Sequence, residues 1–245
     1  MARPIGAEFM RKTRYPFLDE AERMRGINSQ PPLQLPYAKG QALIPMPEPE
    51  GDAELRALID QRRSIRRYAP DPLTMPQLSY LLWCTQGVQQ VVPERVTRRT
   101  VPSAGSCHAF ETYLLANRVD GLAPGLYRYL AMDKKLLPLE INDQVASDIT
   151  TACLGQDVVR TSAATFLWVA VASRMTWRYG QRGYRFLHID AGHVCQNLYL
   201  AAESIGFGVC STGAFDDTAL NTRLHLDGEE LFVIYLATVG KKLSQ

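Results

Sequence analysis

Ala164-Thr165-Phe166-Leu167-Trp168-Val169-Ala170-Val171-Ala172-Ser173 is a nearly uninterrupted apolar run. It is far shorter than the ~20 residues of a membrane span and suits a strand buried on both faces. Upstream, Glu111–Val119, Gly125–Leu130 and Lys135–Leu139 carry strand patterns, the last two flanking Met132-Asp133 as a hairpin. Asp143–Leu154 and Gln156–Ser162 read as helices, and Phe186–Ile205 as a long helix stopped by Gly206. A short helix from Asp216 to Leu224 and a strand from Leu231 to Val239 follow. Before the strands, Thr74 with Pro76 opens a helix through Gly87 that buries Leu78, Leu81, Leu82 and Trp83. Asp52 caps another helix through Arg62, with Leu55, Leu58 and Ile59 on one face. Helices flanking a central, mostly antiparallel sheet make the expected class α+β.

Residues 1–9 read as a cloning-site remnant ahead of Met10, and 10–51 as an extended, proline-rich N-terminal arm. The domain proper is expected over 52–245. Twenty-seven basic residues against 25 acidic ones leave a charge of +2, too balanced for a nucleic-acid or anionic-membrane partner. Cys84, Cys107, Cys153, Cys195 and Cys210 are scattered without a Cys-x-x-Cys pair. That usage, with no signal-peptide core, leads us to expect a soluble cytoplasmic protein with reduced thiols. No metal site is expected, because His108, His188, His193 and His225 form no ligand-spaced pair.

Three segments carry chemistry. Arg62-Arg63-Ser64-Ile65-Arg66-Arg67-Tyr68 packs four guanidiniums and a hydroxyl into seven residues, a composition suited to phosphate oxygens. Alone it reads better as a solvated basic helix end. Val101-Pro102-Ser103-Ala104-Gly105-Ser106 and Gly208-Val209-Cys210-Ser211-Thr212-Gly213-Ala214-Phe215-Asp216 read as small-residue turns that a flat ligand could approach closely. Gly206-x-Gly208 is no dinucleotide fingerprint, lacking a third glycine.

In order and spacing, with Ala191-Gly192-His193 before Gln196-Asn197-Leu198, these segments resemble the nitroreductase superfamily of FMN flavoproteins, closest to its SagB/ThcOx-type dehydrogenases. The resemblance runs from about Ala53 to Lys241 and implies a nitroreductase-like homodimer with FMN at its interface. It implies that Arg62, Arg63 and Ser64 bind the phosphate and ribityl end and that Arg66 lies near N1 and O2. It also places the Gly213 N–H at N5, with Ser211, Thr212 and Ala214 along the ring and Pro102, Ser103, Ala104 and Gly105 on its other face or edge. Lys241 falls where the family places another phosphate-binding base, and a solvated tail lysine reads equally well. His193, Gln196 and Asn197 share one helical face and are expected as a buried polar cluster at the dimer seam.

Arg174, Arg178, Arg182 and Arg185, interleaved with Trp177, Tyr179 and Tyr184, would share a solvated face. The azoline-dehydrogenase branch carries Lys-Tyr before glycine here, treated as catalytic, whereas this chain has Arg178-Tyr179-Gly180. Arginine cannot give up its proton, so Tyr179 takes the expected acid/base role and Arg178 an electrostatic one. The function expected is hydride transfer between flavin N5 and a small or peptide-derived substrate. The alternatives are an NAD(P)H-dependent nitroreductase and a non-catalytic flavin-binding or scaffold subunit of a biosynthetic complex.

Overall fold

The computed structural model describes residues 4–14, 17, 53–92 and 96–243. The expected cap at Asp52 and nearly all of the proline-rich stretch lie outside the described residues. The first elements are helices α1 (Ile5–Lys12), α2 (Ala53–Gln61) and α3 (Met75–Gln86), then strands β1 (Val88–Val92), β2 (Val96–Arg99), β3 (Phe110–Ala116), β4 (Gly125–Leu130) and β5 (Lys135–Glu140). Next come α4 (Gln144–Ala152), α5 (Val158–Thr161), β6 (Ala164–Val171), α6 (Ala172–Tyr179) and α7 (Gly183–Ser204). The chain closes with β7 (Phe207–Thr212), α8 (Asp217–Arg223) and β8 (Leu231–Lys241).

A six-stranded sheet in the order β5-β4-β3-β6-β8-β7 forms the centre, and every neighbouring pair in it is antiparallel. The apolar run is β6, and the sheet explains its composition. Phe166, Trp168 and Ala170 enter one core with Leu81 of α3 and Leu198 and Ala202 of α7. Leu167 and Val169 enter a second core with Ile149, Val159 and Leu220 of α4, α5 and α8. With both faces covered, polar side chains in its interior are costly, which accounts for the apolar composition. The fold is α+β, as the strand and helix patterns indicate.

Local signals account for most boundaries. Thr74 and Gln77 form a reciprocal capping box at the start of α3, and Asp216 accepts from the Ala219 N–H at the start of α8. The structure departs from the sequence reading at four places. Trp83 is 48% exposed although Leu78, Leu81 and Leu82 on the same helix are buried. Gly208–Thr212 is not a turn; it is β7, because its backbone pairs with β8 over the full register from Phe207↔Lys241 to Thr212↔Leu236. The hairpin β1–β2 has no alternating pattern to announce it, and its residues are largely exposed. Residues 5–12, the end of the stretch read as a cloning remnant and the first residues of the arm, form a helix docked on α7, where Phe9 meets the His188 ring edge-on and the Gly6 N–H donates to Gln181 Oε1 at 3.1 Å.

The two ends of the sheet are closed differently. Strand β5 carries Pro138, which has no N–H to offer a further strand. At the other end Ser64 bridges in parallel to Val209 of β7, and the Ile65 N–H donates to the Val209 carbonyl at 2.9 Å. This contact needs Gly208 and Gly240, which face each other across β7 and β8. A methyl group on Gly208 would stand 2.6 Å from Ile65 Cβ, and one on Gly240 would collide with the Tyr68 ring.

Gly208→Ala is expected to destabilise the fold by about 1–3 kcal/mol, the usual cost of overpacking. In chemical denaturation, Ile65→Gly, which removes the Cβ that the new methyl meets, should relieve most of that cost when combined with it; an additive double variant would show the contact to be unimportant. A second expectation concerns His108, buried behind the β1–β2 hairpin with its ring hydrogen-bonded to the Thr97 backbone. Burial, and next the nearby Arg99 charge, push His108 down from 6.5 to about 4. The unfolded chain therefore takes up a proton first as pH falls, so this stability is present above about 6.5 and lost towards 4, at up to about 1.4 kcal/mol per pH unit. His108→Asn, compatible with the left-handed backbone there (φ 43°), should flatten the stability curve between pH 6.5 and 4.5. An unchanged slope would contradict the shift.

Candidate functional site

Seating the arginine segment against β7 sets its polar groups beside α7. The Arg62 guanidinium lies 5.4 Å from the centre of the Tyr199 ring. Ser64 Oγ and the Tyr199 hydroxyl are 3.0 Å apart, and the Tyr199 hydroxyl is 3.2 Å from Ser211 Oγ while accepting from the Ser211 N–H at 3.0 Å. Tyr235 donates to Ser211 Oγ at 2.8 Å. A chain of hydroxyls thus joins Ser64 on the arginine segment to Ser211 at the end of β7. Arg66 lies near Cys210, whose thiol is pushed up by burial and drawn back down by that guanidinium. Arg63 turns away and donates to the carbonyls of Asp60 and Arg62, at the C-terminal end of α2, where a cation is favoured. Lys241 Nζ sits 5.2 Å from the Phe207 ring, where β7 begins.

Beyond Ser211 the chain leaves the sheet. Gln156 holds this loop, accepting from Thr212 Oγ1 at 3.3 Å and donating to the Ala214 carbonyl at 2.5 Å, while the Ala214 N–H donates back to Thr212 Oγ1. Gly213 and Ala214 between these ties are exposed, and a methyl group on Gly213 would meet nothing within 4 Å. The backbone there is held in place yet open on one side, as a flat ligand requires.

The turn at Pro102–Gly105 belongs to a second cluster. Ser103 Oγ donates to Asp190 Oδ2 at 2.6 Å, the Ala104 N–H donates to Asp190 Oδ1 at 3.2 Å, and Asp190 is 2% exposed. Gly105 has φ 57° and lies so close to Arg178 and Tyr179 that a methyl group would stand 2.6 Å from Arg178 Nε and 2.5 Å from the Tyr179 hydroxyl. Tyr179 also packs edge-on against Phe186, ring centres 4.7 Å apart, and Pro102 faces solvent. Asp190 and Tyr199 anchor the two clusters nine residues apart on α7, about 14 Å along its axis.

In the single chain His193 and Gln196 are exposed on the face of α7 turned away from the core; Asn197 alone of the three is tied inward, donating to the Cys84 carbonyl at 3.0 Å. Arg178, Arg182 and Arg185 are exposed, and Arg174 pairs with Glu111 at 2.6 Å. The sequence reading missed Tyr199, Tyr235, Gln156 and Asp190. Asp190 had a signal: it lies among Leu187, Ala191 and Val194 on the buried stripe of α7, where an unpartnered carboxylate is untenable.

Among the described residues, no group of His, Cys, Asp and Glu could hold a metal ion, and no helix is long and apolar enough to cross a membrane. A Methanocaldococcus jannaschii protein named as a nitroreductase, MJ1384, is 33% identical over 200 residues, covering 82% of this chain and 96% of its own. The trifolitoxin-processing protein TfxB of Rhizobium leguminosarum bv. trifolii is 26% identical over 154 residues, 61% of this chain and 41% of its own length. Among solved structures, the Escherichia coli microcin synthetase McbBCD complex with truncated pro-MccB17 matches with a TM-score of 0.64 at 18% identity, over 97% of this chain and 87% of the matched one. A profile of the Nitroreductase family matches residues 59–241, and with the arginine segment, the Gly213 loop and the Pro102–Gly105 turn all inside that span, the chain belongs to the Nitroreductase family of oxidoreductases.

Proposed function

We propose that this chain is an FMN-dependent oxidoreductase, a biosynthetic dehydrogenase of the SagB/ThcOx type that moves a hydride between flavin N5 and a small or peptide-derived substrate, as a cytoplasmic homodimer. The observation that carries this reading is the hydroxyl chain linking Ser64 to Ser211 beside the open backbone of Gly213. The residues fit an anionic, flat cofactor. Among the described residues no ion pair occupies Arg62 or Arg66, and a phosphate would supply the missing anion. When bound, FMN supplies a two-electron carrier that accepts hydride at N5.

The protein's own groups then divide the work. Arg62 and Ser64 hold the phosphate and ribityl end, with Lys241 as a further cation, and Arg66 supplies positive charge where the reduced ring gathers negative charge; Arg63, turned to the carbonyls of Asp60 and Arg62, is left out of the phosphate site. Ser211, Thr212, Gly213 and Ala214 border the ring. The turn of Pro102, Ser103, Ala104 and Gly105 serves the flavin held mainly by the other copy. The about 14 Å between the two clusters along one helix favours that division. Tyr179 takes or gives the proton at the substrate carbon, and Arg178, always charged, orients and stabilises. A peptide-derived substrate is favoured by the trifolitoxin-processing relative. A second reading, an NAD(P)H-dependent nitroreductase, is favoured by the relative so named that matches over nearly its whole length.

Mass spectrometry of the ligand released from purified protein should find FMN, one per chain of a sedimenting dimer; FAD, or no flavin after reconstitution, would sink the assignment. Arg62→Ala should weaken FMN binding by about 1.5–3 kcal/mol, the range for hydrogen bonds to charged groups. Rapid bleaching by NADPH would move the assignment to the nitroreductase reading. Tyr179→Phe removes one hydroxyl, and with a turned-over substrate it should slow flavin reduction by roughly 10²-fold or more while leaving FMN affinity unchanged. Equal rates would remove Tyr179 from proton transfer.

A further inference from the structure

A cavity of about 430 Å³ lies between β2, the start of β3, the β4–β5 turn and the first turn of α6. It is large enough for a small molecule, and none of the residues assigned to the flavin lines it. Its charges do not cancel. Arg99, Arg128 and Arg174 stand against Glu111 and Asp133, leaving one net positive charge on the wall. Glu111 is already committed to Arg174 at 2.6 Å. Arg99 reaches only neutral partners, donating to Gln86 Oε1 at 2.7 Å and to Thr97 Oγ1 at 3.2 Å. Burial and the neighbouring Arg174 charge lower its affinity for the proton it must carry. His108, held neutral, adds no charge.

A mostly buried guanidinium hydrogen-bonded only to neutral groups, with the attraction of Glu111 shared with Arg174, is costly, and an anionic ligand would offset that cost. We propose that this cavity binds the carboxylate of a small or peptide acid, with Arg99 as its ion-pair partner. A single uncompensated charge suits a monoanion, and a phosphate dianion would leave negative charge stranded in a half-buried site. Cys107 and His108 on the wall adjoin the Pro102–Gly105 turn in the chain, and Arg178 and Tyr179 lie beside that turn. The binding site stands on the cavity alone, whatever cofactor the chain holds.

Calorimetric titration of the full chain as purified, at low salt, decides the matter. N-acetylglycine, a stand-in for a peptide C-terminus, and propionate, a stand-in for an acidic side chain, are compared with uncharged N-acetylglycinamide and with inorganic phosphate. At least one acid should bind ten or more times tighter than the amide and tighter than phosphate, the stronger acid naming the source of the carboxylate. Arg99→Lys should weaken that binding at least fivefold with unchanged circular dichroism. Glu111→Gln frees Arg174 and should tighten it at least threefold, a gain that misfolding cannot imitate. Equal binding of acid and amide, no saturable binding of either acid, tighter binding of phosphate, or affinities unmoved by both substitutions would overturn the proposal.

Discussion

The close approach of the Arg62–Tyr68 segment to the paired glycines of β7 and β8 is the constraint on which the rest of the site depends. Ile65 lies over Gly208 and Tyr68 over Gly240, two positions directly opposite each other in the sheet. Tyr68 is fixed further by its hydroxyl, 2.8 Å from Thr238 Oγ1, and its burial pushes the phenol well above its ordinary range. The arginines therefore project from backbone that is hydrogen-bonded to the sheet, and little conformational entropy remains to be lost when they engage an anion.

That rigidity is passed on through hydroxyl groups. Tyr199 receives from the Ser211 N–H and touches both Ser64 and Ser211, so helix, sheet and arginine segment meet at one phenol oxygen. Asp190 does the same for the second cluster, holding Ser103 and the Ala104 N–H from within the core. The long helix thus positions both clusters through buried polar side chains, each satisfied by partners from elsewhere in the chain. Such networks specify one arrangement, because every alternative leaves a buried group unpaired.

Much of this was legible in the sequence where a residue's pattern and its environment agree. The run at Ala164–Ser173 announced a strand covered on both sides, and Thr74 and Asp216 announced their helices, because those signals are local. The arginine segment and the two small-residue stretches pointed to the Nitroreductase family by their order. What was not legible depends on partners distant in the chain. Gly208–Thr212 looks like a turn until β8 pairs with it, and Trp83 looks like a core residue because hydrophobicity alone does not say which side of a helix is covered. Tyr199 and Tyr235 are unremarkable aromatics until Ser211 is placed between them. Arg99 and Glu111 lie 12 residues apart and acquire meaning only when β2 and the start of β3 meet at one cavity.

The two sheet ends also limit how copies of this chain can associate. Strand addition needs a free row of N–H and C=O groups. At β5 the row is interrupted by Pro138, and at β7 part of it is taken by the backbone of Ser64 and Ile65. The same contact that presents the arginines therefore discourages open-ended, edge-to-edge stacking of sheets, a route to fibres.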